Sequence, residues 1–588
     1  MSFITPTIAA SAVYLLASCL LVAQPSEDEK VQAFYKDYLE EVFRQQPVTA
    51  TFLGDHRFDA KLDEISPEAR AGWRKLAQRT LEELPKRVSY GRLSRDGQID
   101  FEIWQNDLRS QLWSEENMRP FEKDPRTYGN YLSESVYQLV SRSTAPKEVN
   151  IASAIARMQA MPSIVEEARR SLTHPVRPML ETAIRQNQGA INFYEADLFN
   201  YTGEVSVQDP LKIAAAKVAA DLKEYQKLLE GTMRERAVEE WRVGRQKFNE
   251  KFDLEIGAGV SAEQNFADAQ AEFTRVQNEL YTVSRQLWSR YFTGKTLPLD
   301  DTAGRRETIA KIVNAVSQEH GTAEQLLAKI RDTVAGLKAF IGKRDYLRMP
   351  EPDQCAIIEM PEFKRGNAIA YLDSAPPLDT KAVSFYAVSP PPADWTPEQK
   401  RSFLEEYNDH MLQILTIHEA YPGHYVQLEY ANRVPSLIRR VLGSGSTNEG
   451  WAVYSEVTML NEGYGEGDLR LRLMQLKFYL RAVANSILDY RMHCTAMSDD
   501  EAMKFLNEEA FQSEGEARLK VIRAKQSAVQ LSTYFVGRMA LYRLRQTIER
   551  ELGDQFDLGR YHEAVISIGS VPPKYLPELV RRRLSEPR

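Results

Sequence analysis

The chain has 588 residues, 43% hydrophobic and 27% charged, which is globular composition with ample length for a large core. Its 75 basic and 83 acidic residues leave a formal charge of -8, and no basic block stands out, so nucleic acid is not an expected partner. Three widely spaced cysteines exclude a disulfide framework.

Residues 1–24 contain no Asp, Glu, Lys or Arg, and the apolar stretch from Ile8 to Ala23 is short for a membrane span and right for a signal-peptide core. A signal peptide over 1–24 and a periplasmic or extracellular location are therefore expected, an uncleaved anchor being the alternative. Leu16-Ala17-Ser18-Cys19 also resembles a bacterial lipobox, so membrane attachment through a lipid on Cys19 is a further reading. After export only Cys355 and Cys494 remain, enough for one bridge.

From Glu27 to about Tyr346 helical periodicity dominates. Ser261-Ala-Glu-Gln reads as a capping box, and Phe266, Ala269, Phe273, Val276, Leu280, Val283 and Leu287 then recur at three- and four-residue steps, the stripe of a packed helix. Beyond Tyr346, Cys355–Met360, Asn367–Leu372 and Ala382–Val388 are short apolar runs parted by proline and glycine, which predicts a small sheet near residues 353–390. Thr396-Pro-Glu-Gln opens a new helix, and the chain is helical from there on. The expected architecture is mainly α: an N-terminal helical lobe over 25–345, and a C-terminal lobe over 346–588 with the small sheet and a deep cleft between the two.

Tyr407, Met411, Ile414 and Leu415 lie on the apolar face of the helix from Thr396, and His418 follows on that stripe. Glu419, Pro422, Gly423 and His424 come next, and two histidines with an adjacent glutamate are the ingredients of a zinc site. The spacing of six is awkward, because it puts the histidines about 240° apart on a regular helix, against about 40° for a spacing of four. Pro422 ends a hydrogen-bond ladder and Gly423 admits unusual dihedrals, so a break that turns His424 back towards His418 is expected. Thr447-Asn448-Glu449-Gly450 then offers Glu449 as third ligand, and Glu456, two turns later, suits a hydrogen bond to a ligand histidine.

These segments resemble the bacterial domain-of-unknown-function family 885, whose hallmark His-Glu-x-x-Pro-Gly-His-x-x-Gln stands here as His418 to Gln427. The likeness extends to Gly54-Asp55-His56, Ile155 to Pro162, Trp241 to Arg245, Asp489 to His493 and Gln530 to Gly537. It departs at Gln526-Ser527-Ala528, where relatives usually carry a Trp-Pro-Gly-like turn. The family is similar to gluzincin peptidases and, more loosely, to the cleft-shaped neurolysin and angiotensin-converting enzymes. Asn448-Glu449-Gly450 with Glu456 looks like the third-ligand helix of aminopeptidase N.

The reading is a zinc hydrolase of short peptides: His418, His424 and Glu449 bind one divalent ion, and Glu419 is the general base. Tyr534, with His493 second, is the expected oxyanion donor. Arg523, Arg491 and Arg481 are candidates for binding a substrate carboxylate. The strands offer an edge to an extended peptide. Two alternatives stay open: a zinc amidase or esterase acting on a small non-peptide substrate, and a helical binding protein stapled by a structural metal. The identity of the metal, manganese or cobalt included, and the oligomeric state are left open.

Overall fold

A computed structural model describes residues 25–360, 369–391 and 395–587. The signal-peptide and lipobox readings of residues 1–24 fall outside the described residues. The chain is mainly helical with one small sheet. No helix of the described residues is long and apolar enough to cross a membrane.

The first helix, α1 (Glu27–Gln45), starts at a full capping box in which Ser26 and Glu29 satisfy each other's backbone N–H. Further along come α2 (Arg95–Asn117), α3 (Lys147–Ser171), α4 (Gln208–Leu228) and the thirty-residue α5 (Ala262–Tyr291). Ser261 caps α5 by accepting from Gln264 N, but the expected return bond gives way to one from Gln264 to Asp268. The predicted stripe of α5 is buried from Ala269 to Leu287, and Phe266 is half-buried.

Buried apolar side chains gather in one large cluster, a second and a small third. The largest runs from Val31 of α1 to Val580 and takes in Trp104 of α2 and the α5 stripe, so side chains from both sides of residue 346 share one core. The second holds α3 and α4 with their neighbours between Ile65 and Met233. Arg157 of α3 is fully buried and answers this with hydrogen bonds to Lys61 O (2.9 Å), Ser135 O (2.7 Å) and Thr51 Oγ1 (2.5 Å).

The sheet comprises β1 (Cys355–Glu359), β2 (Ala370–Asp373) and β3 (Ser384–Val388) in the order β1-β3-β2. β1 runs parallel and β2 antiparallel to β3, which leaves β2 as an edge. Arg142 ties the second core to this edge, donating to Asp373 O (2.9 Å) and Ser374 O (2.6 Å). Cys355 and Cys494 are free thiols.

After the sheet, Thr396 and Gln399 complete the expected capping box of α6 (Pro397–Glu406). The helix expected to continue to His418 is instead two. Tyr407 ends α6, and Asn408 caps α7 (Asp409–Glu419) by accepting from His410 N and Met411 N. Then follow α8 (His424–Ala431), α9 (Gly445–Asn461), α10 (Leu469–Cys494), α11 (Glu514–Gln526) and α12 (Thr533–Leu552).

α9 and α12 touch backbone to backbone. A Cβ built on Gly537 would stand 1.7 Å from Ser446 O and 2.8 Å from Gly450 Cα, so only hydrogen fits at the crossing. Gly537→Ala is therefore expected to force the helices apart at a cost of about 3 kcal/mol. Thermal or urea denaturation checks this; an unchanged midpoint would contradict the close crossing.

Candidate metal centre

The site begins with the break between α7 and α8. The α7 hydrogen bonding ends at Ala420 N and Tyr421 N, both donating to Thr416 O, and Gly423 N then returns to Ile417 O at 3.0 Å. A Cβ on Gly423 would lie 1.9 Å from His418 O and 2.3 Å from Ile417 O, so the tight return of the chain requires glycine. Pro422 carries no N–H, and its carbonyl accepts from the buried Trp451 Nε1 of α9 at 2.8 Å.

This break delivers the expected rotation. The His418 and His424 rings sit 4.8 Å apart, centroid to centroid, and nearly perpendicular. Glu449 on α9 completes the group: its Oε2 lies 3.6 Å from His418 Nε2 and 3.5 Å from His424 Nε2. One donor atom from each residue falls within 4.8 Å of the others. The Glu449 Oε2 atom is buried and has no hydrogen-bond partner, although burying a carboxylate oxygen unpaired is costly. Two imidazoles and such an oxygen form a donor set that fits a divalent cation. Among the described residues the cluster has three members, one fewer than a closed structural site uses.

Glu456 is fully buried, and its Oε1 lies 2.7 Å from His418 Nδ1, which leaves Nε2 to face Glu449. Burial alone would push the His418 imidazole down, but the carboxylates of Glu449 and Glu456 outweigh it and carry it up to about 10. Burial would likewise raise Glu449, but the two imidazoles hold it well below the usual carboxylate range. The whole group calls for positive charge.

Glu419 closes α7 and is raised by burial, against the opposing pull of His418 and His424. Its Oε2 accepts from Leu372 N of β2 at 3.0 Å. That N–H points away from β3, so the free edge of the sheet faces the site. Sequence reasoning placed strands here but did not connect this backbone group to Glu419.

Tyr534, on the first turn of α12, accepts from Arg523 Nη2 at 3.0 Å, and the same nitrogen donates to Gln530 Oε1 at 2.9 Å. Burial and the nearby Glu449 charge push the Tyr534 phenol up to about 12. Tyr534 and Arg523 both lie within the field of Glu449. The turn before α12 is built by the fully buried Asp489, which accepts from Val529 N, Ser532 N and Ser532 Oγ. At the departure from the family pattern, Gln526 bonds Pro178 O and Thr182 Oγ1 and accepts from Arg126, fastening the turn to the N-terminal helices.

Three candidates are committed to other partners. His493 lies with Nε2 2.8 Å from Ala524 O and with Nδ1 accepting from Val243 N at 3.5 Å, and burial pushes its pKa down to about 4. Both ring nitrogens are committed to backbone, so it is a packing histidine. Arg481 is buried in ion pairs with Glu406 (2.5 Å) and Glu516 (3.3 Å). Arg491, on the last turn of α10, has its charge near Glu501 on the surface. A cavity of about 400 Å³ lined by α5 and α12 residues such as Asp268, Met539 and Arg543 includes none of the ligand group.

Fold and site together define a helical protein carrying a largely buried His-His-Glu group with a further glutamate, Glu419, beside it. The chain belongs to the family described as "Bacterial protein of unknown function (DUF885)", whose pattern matches residues 47–580. Among solved structures it is similar to a "putative lipoprotein of unknown function" from Shewanella oneidensis, at 29% identity over 95% of this chain and 100% of that one, with a TM-score of 0.77. It also shares the fold of a "putative lipoprotein" from Colwellia psychrerythraea, at 18% identity over 95% of this chain and 99% of that one, with a TM-score of 0.75. No curated protein matches.

Because Glu456 fixes the orientation of His418, Glu456→Ala is expected to weaken zinc binding by about 10–100-fold while sparing the three ligands. Competition against a chelator of known affinity reads this out; wild-type affinity in the variant would remove Glu456 from the site.

Proposed function

We propose that the chain is an exported, metal-dependent hydrolase of short peptides. The observation that carries this reading is the convergence of His418, His424 and Glu449 with Glu419 kept outside the ligand group. Zinc is the ion that this donor set suits best, and it supplies Lewis acidity, polarising a carbonyl and acidifying water.

Glu419 is the general base. Leu372 N–H occupies its Oε2, while its Oε1 makes no hydrogen bond among the described residues and is free to take a proton from water and pass it to the leaving amine. The Tyr534 hydroxyl accepts from Arg523, so its own proton is available to the oxyanion that forms at the scissile carbon. The edge strand β2, whose Leu372 N–H meets Glu419, suits an extended peptide paired alongside it. A substrate cleft between two lobes, of the neurolysin and angiotensin-converting-enzyme kind, belongs to this reading. So does export, supported by the Shewanella relative described as a "putative lipoprotein", with a lipid on Cys19 as the alternative to a signal peptide over 1–24.

The test is Glu419→Gln in zinc-loaded protein, assayed on a peptide library by mass spectrometry. The substitution is expected to leave zinc content unchanged and lower peptide cleavage by about 10²–10⁴-fold. Cleavage retained at the wild-type rate would contradict the role of Glu419. Cleavage of aryl esters or acyl amides, with peptides untouched, would move the substrate to the non-peptide class.

A further inference from the structure

Beside the ligand group lies a buried network of charges between α6, α10 and α11. Glu406 pairs with Lys477 at 2.8 Å and with Arg481 at 2.5 Å. Arg481 also reaches Glu516 at 3.3 Å and donates to Gln512 Oε1 at 2.6 Å, and Tyr407 donates to the other oxygen of Glu516 at 3.1 Å. Two carboxylates and two cations balance there.

Two cations on α11 are left over. Lys520 is buried, and its Nζ lies 3.9 Å from a Glu516 oxygen that Arg481 already engages. Arg523, one turn on, faces the same way and has only the neutral Gln530 and Tyr534 as acceptors; its Nε and Nη1 make no hydrogen bond among the described residues. Both cations lie within the field of Glu449, the carboxylate of the ligand group. Burial, with Arg523 and Arg481 nearby, pushes the Lys520 amine down to about 7 against the opposing pull of Glu516 and Glu449. Burying the Lys520 ammonium beside the half-buried Arg523 is costly unless a partner arrives.

We propose that Lys520 and Arg523 bind a carboxylate of the substrate, and that this carboxylate is the free C-terminus of a peptide. The inference rests on the peptide-hydrolase reading and adds to it where the substrate is held and from which end it is cut. Arg523 bridges the two functions, because the guanidinium that keeps an N–H for a single charge-assisted bond to the carboxylate also holds Tyr534 through Nη2. Both bidentate edges of a guanidinium use Nη2, which Tyr534 and Gln530 occupy. One remaining N–H of Arg523 and the ammonium of Lys520 therefore each meet one carboxylate oxygen, and every unblocked peptide carries such a group at its C-terminus. Cleavage is then confined to bonds near that end, since the carboxylate fixes the distance to Glu419.

The experiment uses zinc-loaded Glu419→Gln protein, which binds without turnover, and calorimetry with Ala-Ala-Phe as free acid and as C-terminal amide. The free acid is expected to bind at least tenfold more tightly. The preference is expected to fall below about twofold in Arg523→Met and in Lys520→Met, and to recover in part in Arg523→Lys, with thermal melts confirming that each variant is folded. Equal binding of acid and amide, or no binding of either, overturns the proposal. A preference for Ala-Glu-Phe amide over Ala-Ala-Phe acid would transfer the contact to an acidic side chain and overturn the C-terminal assignment. The peptide-hydrolase reading fails separately, if zinc-loaded wild-type protein leaves both peptides uncut whatever their affinities.

Discussion

The carbonyl oxygens of Ile417 and His418 occupy the space in which a side chain at position 423 would begin, and the rest of the site depends on that contact. It lets the chain double back within four residues, so that two histidines six apart in sequence face one another instead of diverging by about 240° around a helix. Trp451 then fastens the doubled-back segment to α9 through Pro422 O, and α9 is the helix that carries Glu449. A local backbone event thus fixes the geometry between three elements.

A second close approach extends the same rigidity. Because Gly450 and Gly537 cross without side chains between them, Glu449 and Tyr534 are held by helices that have little freedom to slide. Asp489 sets the turn from which α12 departs, and Gln526 anchors that turn to the N-terminal helices. The side chains proposed for ligation, proton transfer and oxyanion binding therefore rest on backbone packing and buried hydrogen bonds. Such support suits chemistry in which small misplacements are costly.

Much of the fold was legible where the signal is local. The α5 stripe, the capping box at Thr396 and the three short strands are matters of period and neighbouring residue type, and Pro422-Gly423 announces its own break. What stayed hidden depends on partners far away in the chain. Asn408 interrupts an apolar stripe that continues on both sides of it, so only its cap shows the division between α6 and α7. His493 resembles a catalytic histidine until Val243 and Ala524 are seen to occupy its ring nitrogens. Arg481 resembles a substrate clamp until Glu406 and Glu516 close on it. Lys520, four residues after Glu516, reads as half of a solvated helix pair, and only burial reveals a cation facing the ligand group.

The central claim is that His418, His424 and Glu449 form one metal site, and metal content tests it most directly. Purified chain from residue 25 onward, wild type beside Glu449→Ala, is incubated with zinc, dialysed and measured by elemental mass spectrometry. The account predicts about one zinc per wild-type chain and little in the folded variant. No zinc in either, or the same amount in both, would contradict it and leave the His-His-Glu group as a buried polar cluster in a helical protein.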